Sequence, residues 1–247
     1  MESNLLVSII IPVFNVAPYL VEALNSVISQ TYENLEIVII DDGSTDESGH
    51  ICDEYKEKDN RIIVVHQENK GLSTARNIGL GLISGDAIAF LDSDDAYHPD
   101  FVRKMVDAMI REKADLVICK STVHNTSGNM SQNGQDQMFP SLGKGKYDRV
   151  TALQALVDRS IDHTVWNKLY SRRLWGNIRF PDGCVFEDVD TTYRIIDNCR
   201  SIYVLNEPLY LHRKRPESIT ETRSRKNIND WRLAFSHLEL FSVCSLI

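Results

Sequence analysis

No apolar run in these 247 residues approaches the roughly 18 needed to span a bilayer, so a membrane-embedded fold is not expected. Glycine and proline are sparse, at 12 and 7, which excludes collagen-like and low-complexity chains. The five cysteines, Cys52, Cys119, Cys184, Cys199 and Cys244, are odd in number and none stands in a CxxC spacing. That argues against a zinc knuckle or a disulfide framework and for a reducing compartment. Positive charge is missing where a nucleic-acid reader would need it: the first 100 residues hold 5 Lys+Arg against 18 Asp+Glu. Phosphate contacts dominate such affinities, so nucleic acid is not an expected partner. An anionic ligand of this half calls for a divalent cation between it and the protein. No charged leader with a cleavage site opens the chain, so no signal peptide is read and a cytoplasmic location is expected.

What is present is a globular composition, 43% hydrophobic and 25% charged, at a length suited to one α/β domain or one with a smaller annex. Short β-branched runs at Leu6–Ile11, Leu35–Ile40, Ile62–Val65, Ala87–Leu91 and Leu116–Cys119 start 25 to 29 residues apart. That is the spacing of strands joined by helical crossovers. Amphipathic stretches fill the gaps: a stripe of Tyr19, Leu20, Ala23, Leu24, Val27 and Ile28, then Glu47–Lys58, Leu72–Ile83 and Asp100–Lys113. The pattern predicts a Rossmann-like, mostly parallel sheet flanked by helices. Residues 121–147 are rich in Ser, Asn, Gln and Gly and read as a polar loop or insertion dividing 1–120 from 148–247. Beyond it are a helix at Thr151–Arg159, a mixed region rich in Trp, Arg and Asp, apolar runs at Ile202–Leu205 and Leu209–Leu211, a basic tract, and a helix from Ile228 to about Phe241.

In an open parallel sheet, ligands bind at the carboxyl ends of the strands. Three such ends carry clusters: Pro12-Val13-Phe14-Asn15, Asp41-Asp42-Gly43-Ser44-Thr45-Asp46 and Asp92-Ser93-Asp94-Asp95. The second also reads as a turn with helix caps. The third packs three carboxylates into four residues, which repel one another unless a cation such as Mg²⁺ or Mn²⁺ sits among them. Arg76, one turn into a helix, is either a phosphate or nucleotide contact or an exposed helix arginine. No GxxxxGK[ST] occurs and no GxGxxG follows the first strand, so neither a P-loop nor a dinucleotide fold is expected.

Four segments in order, Ser8-Ile9-Ile10-Ile11-Pro12-Val13-Phe14-Asn15, Ile37–Asp46, Asn69–Gly79 and Phe90–Asp95, resemble the family 2 glycosyltransferases of the GT-A fold. Val165–Tyr170 and Phe186–Asp190 resemble that family's acceptor half. The resemblance implies a nucleotide-sugar-binding half at 1–120 and an acceptor-binding, base-bearing half with a C-terminal helix at 148–247. It places the nucleotide on Pro12, Val13, Asn15, Asp41, Arg76 and Asp92, a metal on Asp94, and the catalytic base on Asp188. His212 stands where tyrosine is commoner, as a metal ligand or a spacer. Arg213 and Arg215 of the basic tract fall on the diphosphate-closing segment, with Ser218 beyond them. Glu187, Trp166 and Lys168 fall on the acceptor side.

The implied activity is metal-dependent, inverting transfer from a nucleotide-diphosphate sugar, a UDP-sugar, to a glycan or lipid-linked acceptor in polysaccharide biosynthesis. Sugar transfer builds charge on a departing phosphate, which a cation stabilises, and needs a carboxylate to deprotonate a poor nucleophile. Plainer explanations stand beside these: Glu187, Asp188 and Asp190 suit any helix start, Trp166 suits a core, and the basic tract to Arg232 suits a solvated face or an anionic membrane surface. Two rivals are a sugar-nucleotide pyrophosphorylase, which would carry a Gly-rich basic loop after the first strand, and a catalytically silent sugar-nucleotide-binding module.

Overall fold

The computed structural model describes residues 4–125, 140–214 and 225–245, so Arg215 and Ser218 lie outside the described residues. In chain order the elements are β1 (Val7–Val13), α1 (Ala17–Ile28), β2 (Leu35–Asp41), α2 (Ser48–Lys58), β3 (Ile62–His66), α3 (Leu72–Leu82), β4 (Ala87–Phe90), β5 (Ala96–Tyr97), α4 (Phe101–Glu112) and β6 (Leu116–Asn125). There follow β7 (Gly145–Tyr147), α5 (Arg149–Val157), β8 (Lys168–Ser171), α6 (Glu187–Asp197), β9 (Ile202–Lys214) and α7 (Arg225–Ser245).

The strands form one sheet in the order β3-β2-β1-β4-β8-β6-β9-β5, with β7 on β9. The first four run parallel. Beyond β4 the sheet is mixed: β8 is antiparallel to both β4 and β6, while β9 is parallel to β6 and antiparallel to β5 and β7. Every residue of β1 is buried because helices cover both faces. Ile9, Ile11, Ile37 and Ile39 pack with Leu20 and Leu24 of α1 and Val102 and Met105 of α4. The alternate residues Ile10, Val38, Ile40 and Ile88 pack with Leu80 of α3, Leu156 of α5 and Ile196 of α6. At Gly79 the α3 backbone approaches β1 so closely that a Cβ would stand 2.5 Å from Ile10 Cγ2.

The structure departs from the sequence expectations in several places, and Gly145–Tyr147, within the span read as loop, form β7 on β9. Ser121–Asn125, read as loop, extend β6 and pair with Tyr210–Lys214, so strand continues into polar sequence because a partner is present. The two apolar runs near 202–211 are one 13-residue strand, β9, passing through Asn206-Glu207-Pro208 opposite a register irregularity at Ile118 to Ser121. The mixed region hides β8, whose Lys-Leu-Tyr-Ser sequence is too short and polar to signal a strand alone. Among the described residues no helix is long and apolar enough to cross a membrane.

Candidate active site

The carboxyl ends of β1 and β2 lie side by side, Pro12 opposite Ile40 and Val13 opposite Asp41, so three expected pocket residues share one rim. Asp41 Oδ1 accepts the Ser44 N–H at 3.0 Å, and Oδ2 pairs with His66 Nδ1 at 2.8 Å. Hydrogen bonds to Asp41 and then Asp53 raise the His66 pKa. Asn15, at φ 49°, accepts the Thr45 N–H on Oδ1 at 2.8 Å and donates its own N–H to the Ser44 hydroxyl oxygen at 3.1 Å, tying the two loops together. Asp46 accepts the first N–H of α1, from Ala17 at 3.0 Å, and that of Ser48 at 2.9 Å, so one expected cap serves two helices. Asp42 accepts the N–H groups of Lys70 and Gly71, each at 2.8 Å, which fixes the approach to α3.

After β4 the three carboxylates diverge in role. Asp92 and Asp94 are half-buried, whereas Asp95 is buried. Asp95 accepts the Tyr210 hydroxyl at 2.6 Å, the Arg213 N–H at 2.7 Å and faces His212 Nδ1 at 3.3 Å. Trp166 stacks on both Tyr210 (4.1 Å, 23°) and His212 (5.4 Å, 5°), which sets the imidazole plane. Burial, the largest single influence, opposes a charged His212 ring, but the Asp95 hydrogen bond and the charges of Asp95, Asp92 and Asp94 together outweigh it and raise the pKa. Arg213 donates Nε to the Asp94 carbonyl at 3.0 Å and Nη2 to Glu22 at 2.5 Å, clasping the acidic loop to α1.

The second half meets this loop through α3. Arg76, 3% exposed, donates Nη1 to Glu187 at 2.5 Å and Nη2 to Asp92 at 2.8 Å, with its guanidinium 5.3 Å from the Phe180 ring centre. Its burial works against the charge, yet Asp92 and Glu187 hold the pKa above the ordinary arginine value. One residue on, Asn77 accepts the Phe180 N–H and donates to the Phe180 carbonyl, both at 2.9 Å, and Thr74 donates to Asp182 at 3.0 Å. Asp230 of α7 accepts the Val185 N–H at 3.0 Å. Phe186 then turns the chain at φ 69°, a left-handed conformation costly for an aromatic residue, and Glu187 and Asp188 open α6. Burial first, then the Glu187 charge, push the Asp188 carboxyl up to about 7 against the pull of Arg76 and the Val189 N–H.

The family model for glycosyl transferase family 2 matches residues 8–181, a span that contains the two strand-end loops, the acidic loop and α3. The chain belongs to glycosyl transferase family 2. It is 35% identical over 229 residues to glycosyltransferase GlyA of Streptococcus pneumoniae, 89% of this chain and 32% of GlyA, and so spans about a third of that relative. Staphylococcus aureus TarS 1-349, solved in complex with UDP-GlcNAc, superposes at TM-score 0.78 with 23% identity, covering 94% of this chain and 66% of that one. The mannosyltransferase PcManGT of Pyrobaculum calidifontis, solved with GDP-Man and Mn²⁺, superposes at 0.65 with 16% identity, covering 99% and 73%. These superpositions show the shared GT-A fold.

Against this family membership, the expected site residues separate into groups. Pro12, Val13, Asn15 and Asp41 form one rim; Asp92, Asp94, His212, Arg213 and Trp166 gather at the acidic loop; Arg76 joins Asp92 to Glu187. Lys168 departs from the acceptor-side expectation. It is fully buried, and its ammonium donates to the Asp162 carbonyl at 3.0 Å, Asn167 Oδ1 at 2.8 Å and the Thr164 carbonyl. Burial lowers its pKa to about 8. All three protons brace the loop before β8, so the ammonium is spent on the fold. Trp166 is likewise buried against Tyr210 and His212. Sequence reasoning missed Asp95, Asn77 and Tyr210 as supports. A third carboxylate directly after an Asp-x-Asp pair was the visible signal for the first.

Among the described residues no group of three or more His, Cys, Asp or Glu could by itself enclose a metal. Asp94 and His212 fit the open arrangement, in which one or two protein ligands leave the remaining positions to phosphate oxygens and water. His212 turns one ring nitrogen to the Asp95 carboxylate, the contact that orients metal-binding histidines.

Proposed function

We propose that the chain transfers a sugar, with inversion, from a UDP-sugar to a hydroxyl of a glycan or lipid-linked acceptor during synthesis of a surface polysaccharide. The observation that carries this is the Arg76 bridge, which brings Asp92 of the acidic loop and the Glu187–Asp188 pair, 95 positions later, to one guanidinium. A site that joins a donor-side carboxylate to a half-buried carboxyl of raised pKa suits a reaction with both a charged leaving group and a proton to remove.

In this reading Pro12, Val13 and Asp41 seat the uracil, Asn15 lies at the same rim, and Asp92 accepts a ribose hydroxyl. Asp94 and His212 would hold Mn²⁺ or Mg²⁺, which when bound supplies positive charge to the departing diphosphate. Arg213, held against the Asp94 carbonyl, adds its charge on the same side, with Arg215 continuing the basic tract. Asp188, ionised, takes the proton from the acceptor hydroxyl as its oxygen attacks the anomeric carbon. The C1–O bond to the diphosphate breaks in the same displacement. Glu187, buried and paired with Arg76, supports a single displacement because it is not free to act as a second nucleophile. Residues 1–120 then form the donor half and 148–247 the acceptor half. The basic excess after residue 100, 22 Lys+Arg against 17 Asp+Glu, supports work at the inner face of an anionic membrane.

The test is Asp188→Asn. It should retain UDP binding in Mg²⁺ or Mn²⁺ and stop transfer from a panel of UDP-sugars, and wild-type product should show an inverted anomeric signal by NMR. Transfer by Asp188→Asn at the wild-type rate, or retained configuration, would refute the reading.

A further inference from the structure

The structure gives Arg76 an occupation that differs from direct nucleotide contact. Its guanidinium is buried, its two terminal nitrogens engage the carboxylates of Asp92 and Glu187, far apart in sequence, and one face lies over Phe180. Glu187 is equally enclosed, 7% exposed, and its backbone carbonyl accepts the Thr191 hydroxyl at 2.7 Å within α6. We propose that Arg76 and Glu187 are positioning residues for Asp188: the guanidinium, clamped between Asp92 and Glu187, fixes the first turn of α6 and its charge beside the base, and is not itself a ligand of the nucleotide. This rests on Asp188 being the base.

The electrostatics follow from counting. Three carboxyl groups, Asp92, Glu187 and Asp188, surround one guanidinium, whose single positive charge cannot compensate all three, and Asp188 is the one without a direct hydrogen bond to it. Asp92 and Glu187 hold the guanidinium by direct hydrogen bonds, while the contact given to Asp188 is the Val189 N–H at 2.8 Å. The groups facing Asp188 are Glu187 on its own helix, Arg76 on α3, Asp162 on the loop before β8, and Lys168 and Tyr170 on β8. Glu187 and Asp162 disfavour its ionised form; Arg76 favours it. Removing Glu187's charge and removing Arg76's charge must therefore move Asp188 in opposite directions. A purely structural loss would produce no such opposition.

The experiment is a carboxyl ¹³C NMR titration of the whole protein labelled at aspartate, with Asp188 assigned as the resonance lost in Asp188→Asn. Glu187→Gln, which keeps the oxygen facing Arg76, should lower the Asp188 midpoint by about one pH unit, and Arg76→Gln should raise it by about as much. Arg76→Lys should leave the midpoint within about half a unit and hold UDP affinity, measured with Mg²⁺, within about threefold. An unmoved midpoint in Glu187→Gln, or one that rises, overturns the proposal. So does an Arg76→Lys variant that loses UDP affinity tenfold or more. Should Arg76→Gln fail to fold, Glu187→Gln and Arg76→Lys decide the matter. The two readings fail separately: wild-type transfer by Asp188→Asn removes the base but leaves the midpoint shifts intact, whereas an inactive Asp188→Asn with immobile midpoints removes the positioning role alone.

Discussion

Asp95 holds the backbone N–H of Arg213 at 2.7 Å across 118 positions of sequence. The carboxylate that completes the acidic run is thereby a fastener for β9, the strand that delivers Tyr210, His212 and Arg213 to the loop. Asp95→Ala leaves a buried hydroxyl and a buried N–H without an acceptor, at about 1–3 kcal/mol each. Urea denaturation should show a loss of about 2–5 kcal/mol, and Asp95→Asn, which keeps one acceptor oxygen, less than half of that.

Asn77 is a reciprocal clamp on the Phe180 backbone. Asn77→Ala removes both bonds and frees the segment that leads to Asp188. Stability should fall by about 1–3 kcal/mol; the turnover number for transfer should drop while UDP affinity stays unchanged, as calorimetry of UDP binding would record.

Asp188 has a distinctive pH signature. Its folded pKa of about 7 lies above the ordinary aspartate value of 3.8, so between those two values the folded chain holds a proton that the unfolded chain has released. The cost to stability is fully present above pH 7 and is relieved as pH falls toward 3.8. Denaturation midpoints should therefore show Asp188→Asn gaining on wild type as pH rises through that window. Transfer, which needs the ionised form, should fall about tenfold per pH unit below 7.

Gly79 is tested by a double-mutant cycle. Gly79→Ala places a methyl 2.5 Å from the Ile10 side chain, on a strand that cannot retreat, and should cost about 1–3 kcal/mol. In an Ile10→Ala background the same change should become neutral or stabilising by up to about 1 kcal/mol, because alanine favours helix. Additive effects in the denaturation cycle would contradict the close approach.

Sequence periodicity revealed the parallel half because β1, β2 and β4 are buried on both faces, and strands so buried must be written in apolar residues. The strand-end clusters were legible for the same reason: polar residues following such a run mark where the sheet stops. What escaped was pairing that depends on distant partners. Lys168 opens a strand while its ammonium turns into a loop of carbonyls, so its charge disguised both its strand and its burial. Arg76 read as a surface or nucleotide arginine because its carboxylate partners lie 16 and 111 positions away.

The insertion of β8 between β4 and β6 bears on synthesis by the ribosome. A nascent chain released as far as Asn125 has the residues of six strands but not the one that seats between β4 and β6. Those two edges wait with unsatisfied backbone groups until residues 168–171 emerge, a window in which edge pairing with another chain competes with self-completion. Chaperone demand should thus peak before the last third of the polypeptide is made, and amino-terminal fragments ending near residue 125 should aggregate where longer ones do not.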